Sequence, residues 1–78
     1  MPESPSEIEL DMTGLLCPLP VLKTRKALQA LKPGTVVKVI ATDPMSVIDM
    51  PHFCVEQGHT LIAQEQDGQR YTFRIRRA

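Results

Sequence analysis

Cysteine is scarce in this chain: there are two, Cys17 and Cys54, in 78 residues. That is too few to staple a small secreted scaffold, and without a Cys-x-x-Cys pair the dithiol site of a thioredoxin-type reductase is excluded. An excess of charge is missing too. Nine Lys plus Arg balance nine Asp plus Glu, so bulk electrostatics do not direct the chain to nucleic acid. No apolar run approaches the length that spans a bilayer. The opening residues MPESPSEIEL have neither a basic n-region nor an apolar h-region, so no secretory leader is read there. The expectation is a cytoplasmic chain with reduced thiols.

What the chain does have is enough apolar material, 42% of its residues, for one small core. Residues 1–7, rich in Pro, Ser and Glu, read as a flexible tail, and residues 8–78 as a single domain. Ile8 to Met12 alternates apolar and polar, the mark of a strand with one buried face. Pro20 to Lys32 reads as a helix whose apolar face carries Val21, Thr24, Ala27, Leu28 and Leu31. Pro33-Gly34 stops it. Thr35 to Thr42 is β-branched and almost continuously apolar, as a central strand should be. Asp43-Pro44, with Ser46 and Asp49 behind it, reads as the capped start of a second helix running to Gln57 and stopped by Gly58. Pro51 inside it predicts a kink, or two short turns, near Met50. Leu61 and Ala63, then Tyr71, Phe73 and Ile75, alternate with polar residues around Asp67-Gly68, which reads as a two-residue hairpin turn. The order β-α-β-α-β-β, with right-handed crossovers, predicts an α/β two-layer sandwich: a four-stranded mixed sheet with two helices on one face.

The chemistry concentrates in GLLCPLPVLKTRKAL, residues 14 to 28. Pro18 and Pro20 suit a first helical turn because their missing N–H groups have no intrahelical partner there. Cys17 therefore sits at or just before the N-cap, after a loop that Gly14 lets bend. A helix N-terminus carries roughly half a positive charge and favours a thiolate. Lys23 and Arg25 add to that field if they point toward the sulfur. The prolines withhold two N–H groups, so the depression of the thiol pKa should be modest. The plain alternative is a small buried hydrophobe.

Other candidates weigh less. Cys54 falls on the apolar face of the second helix and reads as a buried structural cysteine, with a second redox thiol as the alternative. His52, Cys54, His59 and Cys17 lack zinc-ligand spacing, so no metal is assigned. Asp11 and Asp43 read as structural carboxylates at strand ends; a carboxylate beside a thiol raises its pKa. Leu22 lies off the apolar face and joins Leu16 and Leu19, with Lys23 and Lys26, in a candidate partner-docking surface. Arg70, Arg74 and Arg76 alternate on the last strand. That permits a nucleic-acid- or protein-binding module, although the stacking aromatics of such a face are lacking, Tyr71 and Phe73 pointing the other way. A thiol redox sensor using Cys17 is a further alternative.

The stretch LDMTGLLCPLPVLKTRKAL, with its Cys-Pro-x-Pro at Cys17 to Pro20, resembles the N-terminal signature of the TusA-like, or SirA-like, sulfur carriers. The later stretches ATDPMSVIDMPHFC and GHTL match as well, so the resemblance covers residues 8 to 77. It implies a sulfurtransferase that takes sulfane sulfur as a persulfide on Cys17 from a cysteine desulfurase or another sulfurtransferase. A downstream relay protein would then receive it for tRNA thiolation, molybdenum cofactor assembly or sulfur oxidation. It implies no bound cofactor, no direct nucleic-acid partner and no membrane.

Overall fold

The computed structural model describes residues 7–78. Six elements follow in order: β1 (Glu7–Met12), α1 (Leu19–Gln29), β2 (Val36–Ala41), α2 (Ser46–Gln57), β3 (Thr60–Asp67) and β4 (Arg70–Arg76). This is the expected β-α-β-α-β-β succession. Of the expected tail, Glu7 instead opens β1, and residues 1–6 lie outside the described residues.

The strands form one mixed sheet in the order β1-β2-β4-β3. β1 and β2 are parallel, with Leu10 beside Val39, because α1 carries the chain back over the sheet between them. β4 is antiparallel to both β2 and β3, so β3 runs parallel to β2 with β4 inserted between. Two βα units of the same hand thus leave both helices on one face. The core lies beneath them: Val37, Val39, Phe73 and Ile75 from the central strands meet Leu28 of α1 and Met50, Phe53 and Cys54 of α2, all buried. Alternation along β4 places Tyr71, Phe73 and Ile75 inward, as their period requires.

The open face is striped by charge. Glu7, Glu9 and Asp11 of β1 align with Val36, Lys38 and Ile40 of β2. These align in turn with Arg76, Arg74 and Thr72 of β4. Beyond them Glu65 and Asp67 of β3 stand opposite Thr72 and Arg70. Arg74 meets Glu7 at 2.7 Å. Basic side chains therefore occupy the middle of this face and carboxylates both outer strands.

Several local expectations need correcting. α1 ends at Gln29, with Ala30 as C-cap, and Pro33-Gly34 instead shapes the turn in which Thr35 N–H donates to Lys32 C=O. Neither Asp43 nor Ser46 caps α2 with its side chain. The N-cap is Met45, and Ser46 is the first helical residue. α2 runs unbroken through Pro51. A proline this early forfeits one backbone bond, and burying Met50, Phe53 and Cys54 on one face outweighs that loss. Gly58 does end α2, at φ 77°. The hairpin turn lies one residue later than expected. Asp67 pairs with Arg70, so Gly68 and Gln69 form the loop. Only Gly68 has positive φ, which fits a type II′ turn rather than one needing positive φ at both positions. A bulge between Leu61 and Ala63 also turns Ala63 to the open face, beside Arg74.

Candidate functional site

Parallel strands bring their C-terminal ends to the same edge of a sheet, and that edge is where α/β proteins collect functional loops. Here the segments leaving β1 and β2 meet in that way. Three hydrogen bonds join them. Gly14 N–H donates to Thr42 Oγ1 at 2.9 Å, Cys17 N–H donates to Asp43 Oδ2, and Cys17 Sγ–H donates to Asp49 Oδ2 at 3.0 Å. Asp43 is buried, and its other oxygen accepts Met45 N–H at 3.1 Å. One carboxylate thus fixes both the backbone of Cys17 and the approach to α2. Asp11 acts locally. Its Oδ1 accepts from the hydroxyl and the N–H of Thr13, and these bonds hold its carboxyl below the usual carboxylate range.

Cys17 is exposed and precedes the N-cap of α1, Pro18. The peptide bond between them is cis. The helix start offers the sulfur little. Pro18 and Pro20 have no N–H, and Leu19 N–H donates to Leu16 C=O at 2.8 Å. The expected thiolate stabilisation is therefore not what the geometry provides. The hydrogen bond that the thiol donates to Asp49, followed by desolvation and the charges of Asp49 and Asp43, pushes the Cys17 thiol above its ordinary pKa. Of the two basic candidates, Arg25 lines the groove that begins at Cys17, and Lys23 lies outside its lining; neither is hydrogen-bonded to the sulfur.

That groove has a volume of about 310 Å³. Its walls are Val21, Leu22 and Arg25 of α1 and Asp49, His52 and Glu56 of α2. Leu22 in its wall is one of several exposed apolar side chains near Cys17 in the sequence. Leu16, Leu19 and Leu22 are 68%, 44% and 49% exposed, well above what a core role would leave them. Met45 and Ile48, at the start of α2, are also exposed and were not singled out from the sequence. Lys23 and Lys26 are exposed on α1.

The remaining candidates sort simply. Cys54 is 2% exposed, and burial pushes its thiol up to about 11. His52 stands 3.6 Å from Glu56 on the surface of α2, and His59 packs against Phe53 and accepts Ala78 N–H on Nδ1. Among the described residues no group of three or more His, Cys, Asp or Glu is arranged to hold a metal ion, and no helix is long and apolar enough to cross a membrane.

Asp49 is the site residue that sequence reasoning assigned elsewhere, as a helix-cap partner. The signal was present. Two βα units side by side bring the first turn of the second helix next to the loop after the first strand, and Asp49 is the only acidic residue in that turn.

A sequence model of the family described as sulfurtransferase TusA matches residues 8–77. The chain belongs to this family. A protein named sulfur carrier protein TusA from Pseudomonas paraeruginosa is 44% identical over 73 residues, covering 94% of this chain and 92% of that one. Its namesake from Allochromatium vinosum is 43% identical over 70 residues, covering 90% and 92%. The crystal structure of a SirA-like protein from Desulfitobacterium hafniense superposes with a TM-score of 0.75 at 27% identity, covering 88% of this chain and 95% of that one. The TusA family match thus spans both βα units that build the Cys17 edge.

Proposed function

We propose that this TusA-family protein is a sulfur carrier in which Cys17 accepts sulfane sulfur as a persulfide and passes it to a second protein. The observation that carries this reading is the placement of Cys17: an exposed thiol on a pinned backbone, at the edge where both parallel strands end. Cys54 is buried in the core, so no accessible thiol of the same chain discharges the persulfide, and the cargo waits for an intermolecular acceptor. Pro18 and Pro20 fix the start of α1, and Gly14, at φ 80°, takes the bend that an L side chain resists.

A raised thiol pKa lowers the thiolate fraction at neutral pH, but each thiolate that forms is intrinsically more nucleophilic. The exposed Leu16, Leu19 and Leu22, flanked by Lys23 and Lys26 and extended by Met45 and Ile48, form the docking surface for donor and acceptor. The donor is a cysteine desulfurase or another sulfurtransferase. Arg25 faces the groove and offers its guanidinium to an anionic persulfide.

Intact-protein mass spectrometry after incubation with a cysteine desulfurase and cysteine tests this directly. Wild type and Cys54→Ser should each gain one sulfur atom that DTT removes, and Cys17→Ser should gain none. A gain in Cys17→Ser, or loading abolished by Cys54→Ser, would overturn the assignment.

A further inference from the structure

Cys17 donates its thiol hydrogen to Asp49 Oδ2 across 3.0 Å. Only the protonated sulfur can make that bond. A thiolate has no hydrogen to donate, and a carboxylate at that distance repels it. Asp49 is half-buried in the first turn of α2, so its position is set by the helix. Among the described residues no cation lies within ion-pair distance of it. The backbone of Cys17 is fixed separately, through its N–H on Asp43 Oδ2. The sulfur can therefore turn about χ1, toward Asp49 or away from it, while the rest of the residue stays in place.

We propose that Asp49 parks the empty carrier: it holds the Cys17 sulfur as a thiol against α2 and loses its hold once the sulfur carries cargo. The inference rests on the persulfide role of Cys17. The transfer explains the loss. Cys17 gives its proton to solvent, and Sγ attacks the terminal sulfur of a donor persulfide. The donor S–S bond breaks, its electron pair stays on the donor cysteine as thiolate, and that thiolate takes a proton from solvent. The products are Cys17–S–SH and the donor thiol, with no external oxidant or reductant. In the product Sγ is bonded to carbon and sulfur and bears no hydrogen, so the bond to Asp49 cannot re-form. Empty and loaded forms thereby differ in where the side chain rests. The groups that bear on the empty thiol are few. Asp43 approaches from the β2–α2 loop, Asp49, His52 and Glu56 from α2, and Arg25 from α1. The carboxylates dominate, which is why the thiol pKa is raised rather than lowered.

The test compares wild type with Asp49→Asn and Asp49→Ala. Alkylation of Cys17 by iodoacetamide is followed against pH in the empty protein, and again after loading with inorganic polysulfide as a small sulfane-sulfur source. In the empty protein both variants should titrate at lower pH than wild type and react roughly three- to tenfold faster at pH 7. Once loaded, the three proteins should react at rates within about twofold, because a persulfide ionises more readily than a thiol and no longer bonds Asp49. Equal midpoints for the empty proteins would overturn the proposal, as would an equal acceleration of the loaded forms. Failure of wild type to take sulfur from polysulfide would count against the carrier reading instead, and the empty-protein titration would still decide whether Asp49 holds the thiol. Asp49→Ala guards against the Asn amide making a bond of its own.

Discussion

Replacing Asp43 with Ala should cost this protein more than any other polar substitution at the site. The carboxylate is buried and accepts two backbone hydrogen bonds, from Cys17 N–H and Met45 N–H. A hydrogen bond to an ionised acceptor contributes about 1.5–3 kcal/mol. Both N–H groups are only part-buried, so water satisfies them in part once the carboxylate is gone. The expected loss is therefore below the full sum of about 3–6 kcal/mol, at about 2–4 kcal/mol. For a domain of this size that corresponds to a fall in Tm of about 10–25 °C. Asp43→Asn keeps one acceptor oxygen and should lose roughly half as much. Urea unfolding followed by far-UV circular dichroism measures both. If Asp43→Ala lies within about 0.5 kcal/mol of wild type, the ordinary range for surface changes, then Asp43 does not join the two loops. An Asn variant as damaged as the Ala variant would show that charge, not the pair of acceptor oxygens, holds them.

Three further outcomes follow from the geometry. Iodoacetamide at pH 8 should label one thiol in the folded protein, at Cys17, and a second only in urea, because Cys54 is buried with its thiol pushed up to about 11; two labels appearing together under native conditions would refute the burial. The double variant Leu19→Ser/Leu22→Ser should unfold within about 0.5 kcal/mol of wild type yet load sulfur from a protein donor about tenfold more slowly; unchanged loading would remove these side chains from the docking surface. His59 is held below its ordinary pKa by burial and then by Arg77, and its Nδ1 must be bare to accept Ala78 N–H. The unfolded chain therefore takes up the proton first as pH falls through the ordinary histidine range near ~6.5, so stability should decline from pH 7.5 to 5.5. His59→Gln should show a smaller decline in Tm across that range, and an equal decline would show that the histidine is not its source.

The elements whose burial follows a simple period were legible in the sequence. β4 shows its alternation in Tyr71, Phe73 and Ile75, β2 its continuous apolar run, and α1 the spacing of Thr24 and Leu28. The ends of elements were less legible, because they depend on which backbone groups find partners. Asp43 looked like a helix cap and instead spans to a residue 26 positions earlier, a distance no local pattern encodes. The hairpin slipped by one residue because Asp67 completes the ladder with Arg70, leaving Gly68 to supply the positive φ. Cys17 stood out because two prolines and a glycine frame it. Its electrostatic environment did not, since the nearest helix suggested a positive field and the governing charge arrives from the other helix.

The striped open face of the sheet has a colloidal consequence. With no net charge at pH 7, long-range repulsion does little to keep copies of this protein apart. The two outer strands do that work at short range. β1 offers Glu7, Glu9 and Asp11 and β3 offers Glu65 and Asp67, so any pairing of one molecule's sheet edge with another's brings carboxylate toward carboxylate. Replacing Glu9, Glu65 and Asp67 with neutral residues removes that barrier while the strand edges remain available for pairing. Side-by-side sheet association should then set in with the fold itself intact.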